Sequence, residues 1–439
     1  MDFQERYGTI FETTQSRKGE SDMKVCIVGS LPPPIGGVAT HCYNLSKQLC
    51  NLGVEVTFFD TNPNQNKTVP KEIYDYEILS GLLSFYKIYS ILSLGYSRVF
   101  LRLLNTLFRD CFKHKNRLKL RGIRDVCLIT LFLFIKLSRK RVDLIHTQHA
   151  YPRSLSALLV GKALGMPVVV TIHASELTSM DSEMKTLRPL AVNICNVADY
   201  VISVSQYTKE VAKRAGVTNK IEVVYNGVDA SFHGNYNVTD LKKRYNLINE
   251  KIILYVGWLI ERKGPQILLE AVTKLKKDNF KVFIIGPDHG LKDKLEFYIK
   301  KLNLNQVHLV GVVDDFTLKK FYSLADIFVF PTITEDEGFG LVAVEAMASK
   351  TVVIGSKIAA IPEVVRDNES GFLFSPGDSD DLAKKIDLLL EKDELLHKMK
   401  QKATNFAKQT FSWELTAEKT FSLYQNVISK YYHSKRSTN

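Results

Sequence analysis

Two successive trains of short β-branched runs, separated by stretches of helical spacing, constrain this chain more than any other feature. The first train is "MKVCIVGS" (23–30), "VEVTFF" (54–59), "VDLIHT" (142–147), "PVVVTIH" (167–173), "YVISVS" (200–205) and "IEVVYNG" (221–227). Runs that are apolar throughout suit strands buried on both faces, and parallel neighbours require long crossovers of the helical kind found between these runs. After "NGVD" (226–229) the chain turns polar to about residue 250, and the same grammar restarts with "KIILYVGWL", "KVFIIGP", "VHLVG", "IFVFPT" and "TVVIGS". At 439 residues the chain is too long for one ordinary core. The expectation is an α/β protein of two Rossmann-like, doubly wound parallel-sheet domains, divided near 225–235, with ligands in a cleft at the carboxyl ends of the strands. A polar tail (1–22) precedes the first domain (23–225), the second spans 226–410, and 411–439 has helical spacing with a basic tip.

The net charge of +12 favours anionic partners but does not choose among them. Segment 71–141 holds fifteen Lys or Arg against five Asp or Glu, so most of the excess lies there. No zinc-finger, RNP or helix-turn-helix pattern supports nucleic acid as the partner. Within the segment, 78–108 is apolar on more than one face and "VCLITLFLFI" (126–135) is a shorter apolar stretch. A spanning helix needs about 20 uncharged residues, and Lys87 interrupts the longer stretch. Buried helices of the first domain and an interfacial surface held to anionic lipid both remain open. The six cysteines include no CxxC pair and read as reduced thiols, and the first residues show no leader pattern. A cytoplasmic protein, peripheral at most to the inner face of the membrane, is the expectation.

Residues just after strands carry the chemistry. Gly36 and Gly37, in "IGGVAT", remove side chains where a backbone can approach a ligand, although a glycine pair also serves a tight turn. His173 ends "VTIH", a position equally open to a structural histidine. His146 and His149 lack a third partner of metal-ligand spacing, so no metal is expected. Arg262 and Lys263 follow "VGWLIE" and offer cations to a diphosphate leaving group, or form a solvated pair. In "EDEGFGLVAVEAMA", Glu337 lies on a loop and Glu345 in the early turns of a helix, on the order of 10 Å apart. That spacing is too long for one acid–base dyad. It suits two ends of an elongated ligand, with the N–H groups of Gly338, Phe339, Gly340 and Leu341 facing a phosphate between them. Ribose hydroxyls, a diphosphate and sugar hydroxyls follow one another in that order in a nucleotide diphosphate-sugar. "DSD" (378–380) superficially matches a metal-binding motif but reads as helix capping before "DLAKKIDLLL".

"EGFGLVAVEAMA" resembles the E-x7-E motif of the retaining glycosyltransferases of family 4. Its flanks agree in order along the chain: "GGVATH", "NGVD", "VG.L...KG", "PTITEDEGFG" and "IPEVV". The resemblance implies a GT-B fold with the last helix crossing back to the first domain, and metal-independent transfer by front-face attack. It also implies that Glu345 binds the donor ribose, Glu337 the donor sugar, Lys263 the diphosphate and His173 the region of the sugar's primary hydroxyl, with Gly37 approaching the diphosphate. One position departs, since Trp258 stands where the family usually has Arg. The implied partners are a nucleotide diphosphate-sugar and a hydroxyl acceptor, lipid-linked or a growing glycan, with no cofactor. A sugar-nucleotide epimerase, a glycogen-phosphorylase-like enzyme that would need a lysine Schiff base to pyridoxal phosphate, and a catalytically silent membrane scaffold are the alternatives.

Overall fold

The computed structural model describes residues 22–31, 36–61, 120–179 and 181–436. The expectations for the tail, for 78–108 and for most of the basic segment therefore lie outside the described residues. The chain divides into two compact units, Met1–Tyr225 with Thr416–Asn439, and Asn226–Leu415.

In the first unit six parallel strands lie in the order β2-β1-β3-β4-β5-β6: β1 (Lys24–Gly29), β2 (Glu55–Asp60), β3 (Leu144–Gln148), β4 (Val168–Ile172), β5 (Tyr200–Ser203) and β6 (Ile221–Val223). Between them run α1 (Gly37–Asn51), α2 (Leu120–Arg139), α3 (Pro152–Leu164), α4 (Ser175–Thr178), α5 (Ser182–Val197) and α6 (Gln206–Arg214). Successive strand side chains point to opposite faces. Val25 and Ile27 accordingly pack on one face with α1, while Cys26 and Val28 pack on the other with Val126, Leu133 and Phe134 of α2. The apolar stretch 126–135 is thus a helix whose Val126, Ile129, Leu133 and Phe134 lie in the core of this unit. Among the described residues no helix is long and apolar enough to cross a membrane.

The second unit carries α7 (Thr239–Arg244), β7 (Lys251–Val256), α8 (Pro265–Val272), β8 (Phe280–Ile285), α9 (Lys292–Lys301), β9 (Val307–Gly311), α10 (Asp315–Leu324) and β10 (Ile327–Phe330). There follow α11 (Leu341–Ala348), β11 (Val352–Ser356), α12 (Ile361–Val364), β12 (Gly371–Phe374), α13 (Ser379–Glu391) and α14 (Asp393–Thr410). Its parallel sheet has the order β12-β11-β10-β7-β8-β9. Each of the short apolar runs quoted above as a strand forms one, and β12 is one more. "GFLF" is short and opens on a glycine, so it lacks a strand's usual signature. Gly371 is required there because a Cβ would lie 2.2 Å from the Val353 carbonyl oxygen of β11. Asp378 caps α13, accepting from the N–H groups of Asp380 and Asp381 at 3.0 and 2.9 Å, so the "DSD" stretch is a helix start.

A last helix, α15 (Trp413–Arg436), buries Ala417, Leu423, Tyr424 and Val427 among Val25, Ile27 and Phe58 of the first unit.

Candidate active site

In the second unit the order of strands reverses between β7 and β10, and at such a switch point the loops leaving the two strands diverge to opposite faces and open a crevice. The loop after β7 carries Arg262 and Lys263, and the loop after β10 carries 331–340. They are stitched together by backbone. The Arg262 carbonyl accepts from Ile333 N–H at 2.9 Å and from Thr332 Oγ1 at 3.0 Å. Gly264, at φ 71°, lets them close, since a Cβ there would stand 1.9 Å from the Pro331 carbonyl oxygen.

That stitching brings two ion pairs side by side. Lys263 Nζ donates to Glu337 Oε2, and Arg262 Nη1 donates to Asp336 Oδ2 at 2.6 Å. Thr334 Oγ1 donates to the other oxygen of Asp336 at 2.5 Å. Asp336 was invisible as a partner in the sequence because nothing in a loop of three acids says which one faces Arg262. The pairing holds the Arg262 guanidinium on its own unit's loop. Trp258, 40 % exposed, stacks on His289 with ring centroids 4.4 Å apart.

Past Glu337 the chain enters α11 through Gly340, at φ 96°, where a Cβ would stand 2.8 Å from the Phe330 ring. Leu341 is the first residue of α11, which places free N–H groups at this end. The helix is apolar around its whole circumference and accordingly buried, with Ala343, Val344, Ala346 and Met347 in the interior. Glu345 is the exception, and Tyr322 of α10 donates to its Oε2 at 3.0 Å. Burial pushes the Glu345 carboxyl up to about 7, against the Tyr322 hydrogen bond that stabilises the anion. Nothing in the sequence marks Tyr322; only the packing of α10 on α11 reveals it as the carboxylate's partner.

In the first unit, Gly36 is the N-cap of α1 with extended backbone at φ −170°, and a Cβ there would meet nothing within 4 Å among the described residues. Any residue can adopt that conformation, so a tight turn is not what requires glycine at this position. Gly37 is the first residue of α1 and is exposed. His173, at the end of β4, is surrounded by rings: His41 at 5.0 Å and His149 at 4.8 Å between centroids. Buried Glu176 of α4 accepts from His173 N–H at 2.9 Å and faces His149 Nδ1 at 3.3 Å. Burial alone would raise the Glu176 carboxyl, but His149 and these N–H donors outweigh it and hold it below its ordinary value. His149 (φ 66°) and Ala174 (φ 81°) both take left-handed backbone, an uncommon cost that concentrates at functional sites. Among the described residues no grouping of His, Cys, Asp or Glu could hold a metal ion.

Residues 35–232 match the family described as Glycosyltransferase Family 4, and residues 238–406 match Glycosyl transferases group 1. A phosphatidyl-myo-inositol mannosyltransferase of Mycobacterium tuberculosis is 30% identical over 295 residues, 65% of this chain and 74% of that protein. The chain belongs to the family 4 glycosyltransferases. An uncharacterized glycosyltransferase of Methanocaldococcus jannaschii is 27% identical to this glycosyltransferase over 400 residues, 89% of this chain and 95% of that one. The fold is also that of the Anabaena protein HepE solved with UDP-glucose, with a TM-score of 0.68 at 20% identity, covering 92% of this chain and 100% of HepE. The GT-B architecture of this glycosyltransferase follows from these matches and from its two parallel sheets.

Proposed function

We propose that this glycosyltransferase transfers a sugar, with retention of configuration, from a nucleotide diphosphate-sugar to a hydroxyl acceptor carried on a lipid. One observation supports the reading above the others: the switch point of the second unit gathers a lysine, a carboxylate and the N-terminus of α11 within two stitched loops. That combination matches a donor part by part. Glu345 accepts from the ribose hydroxyls, Lys263 and the N–H groups of Gly338 to Leu341 take the diphosphate, and Glu337 accepts from the sugar hydroxyls. Arg262 adds positive potential from the same loop, while its guanidinium stays with Asp336. In this reading residues 226–415 form the donor domain and the first unit the acceptor-side domain, with His173 meeting the region of the donor sugar's primary hydroxyl and Gly37 approaching the diphosphate.

During transfer the bond from the anomeric carbon to the diphosphate breaks and its electron pair leaves on the phosphate oxygen. The acceptor oxygen attacks from the same face, and its proton passes to the departing phosphate. Lys263 and the α11 amides stabilise the charge as it develops, without a metal and without a covalent intermediate on the protein. A donor bound to HepE and a lipid inositol named in the mycobacterial relative support this choice of donor and acceptor class. The excess of basic residues in 71–141 supports a membrane-proximal acceptor.

The test is a panel of nucleotide-sugars screened by thermal shift, since a ligand that binds only the folded state raises the melting temperature. The stabilising donor is then supplied with and without lipid acceptors, and the anomeric configuration of the product is read by NMR. A retained configuration that disappears in Glu337→Ala supports the proposal. Inversion, or a changed sugar formed without acceptor, overturns it.

A further inference from the structure

Behind His173 lies a chain of buried polar side chains that the reaction outlined above does not use. His173 Nε2 meets Gln148 Oε1 at 3.0 Å, and Gln148 Nε2 meets His146 Nε2 at 3.3 Å. Thr171 Oγ1 also meets His146 Nε2, at 2.6 Å, and His146 Nδ1 meets the Tyr424 hydroxyl of α15 at 2.5 Å. All five residues are buried, His146, Thr171 and Tyr424 completely. Gly29 of β1 makes room for the chain: a Cβ there would stand 3.1 Å from Gln148 Cγ.

An amide offers one acceptor oxygen and two N–H donors, and this asymmetry orders the protons. Gln148 Oε1 can only accept, so Nε2 of His173 carries a hydrogen. The amide N–H and the Thr171 hydroxyl then donate to a bare Nε2 on His146, whose single proton sits on Nδ1 and goes to Tyr424. Burial drives His146 down to about 3 and His173 well below the ordinary histidine value, so both rings are neutral and each has one proton to place.

We propose that Gln148 is a positioning residue that locks His173 as the Nε2–H tautomer and so makes Nδ1 of His173 a hydrogen-bond acceptor. Resting on the reading that His173 faces substrate, this adds a specificity: the group met by that ring must be a donor, such as a sugar hydroxyl. A glycosyl donor whose hydroxyl is replaced by hydrogen or fluorine at that position would be rejected, because a site built around a hydrogen bond discriminates strongly against a ligand lacking it.

The tautomer is read directly from ring 15N and 13C correlations in the full-length protein labelled at histidine, with His173→Phe used to assign the signal. A protonated Nε2 and a bare Nδ1 on His173 are expected. Gln148→Met, close in shape and without the amide, should mix the tautomers and lower kcat about tenfold to a hundredfold, the effect of losing one or two buried hydrogen bonds. Gln148→Glu, which still accepts from Nε2–H, should restore the tautomer and most of kcat. A wild-type His173 protonated on Nδ1, or Gln148→Met with unchanged tautomer and rate, overturns the proposal. The wild-type spectrum decides even if a variant fails to fold. Full activity in His173→Phe would instead remove the substrate role of His173 while leaving the tautomer assignment standing.

Discussion

Lys263 and Glu337 satisfy each other's charge within one ion pair, and a diphosphate would compete with Glu337 for the ammonium. Removing the cation should therefore cost transition-state stabilisation more than folding. Lys263→Ala is expected to lower kcat/KM by roughly a hundredfold to a thousandfold in steady-state assays, as loss of a single charge-stabilising group does, with the melting temperature little changed. Gly36 makes a complementary case. Among the described residues a Cβ there meets nothing, on extended backbone, so Gly36→Ala should leave stability within about 0.5 kcal/mol of wild type by urea unfolding while reducing turnover. Equal turnover would mean that no ligand approaches this backbone. Glu345 brings a pH dependence whose sign is fixed by its carboxyl, raised from 4.5 to about 7. The folded chain holds that proton longer than the unfolded one, so the stability it contributes is complete below 4.5 and is lost as pH rises through 7. Donor affinity should move the opposite way, tightening as pH rises through 7 because only the anion accepts two ribose hydroxyls. Titration calorimetry on either side of that pH should show the trend in wild type and none in Glu345→Gln.

Elements were legible wherever local pattern and tertiary burial agreed. The buried strands read as unbroken apolar runs, and the start of α11 was visible because Gly340 precedes an apolar stretch. β12 was not, since "GFLF" is a strand by virtue of its neighbour β11 rather than its own composition. Loop closure at the site likewise depends on a contact distant in sequence. Gly264 is at φ 71° and has the Pro331 carbonyl oxygen where a Cβ would go. Gly264→Ala should cost about 1–3 kcal/mol of strain or force the two loops apart, measurable as a lower urea midpoint together with a weaker donor affinity. A substitution that changed neither would show that the loops close by other means.

For the molecule as a whole, α15 is the piece whose place its own spacing left open and only the family resemblance implied. Its spacing announced a helix, but the partners of Leu423, Tyr424 and Val427 in the core beside β1 and β2 are residues nearly four hundred positions earlier. Tyr424 meets His146 inside that unit, and this contact predicts how the protein responds to acid. His146 is driven down to about 3 from 6.5, so its neutral state supports folding at pH 7, and that support is lost progressively as pH falls below 6.5 toward 3. Unfolding free energies measured along this interval should fall less steeply in His146→Phe than in wild type. What the amino-acid sequence determined by itself was the alternation of strand and helix, the break near 225–235, and the family motif, because each is written in residues adjacent along the chain. Which acid meets Arg262, which phenol meets Glu345, and which amide orders the protons of His173 were decided only by the tertiary structure. Those pairings arise where parallel strands set side by side loops that lie scores of residues apart, and local periodicity carries no record of which side chains such loops turn toward each other.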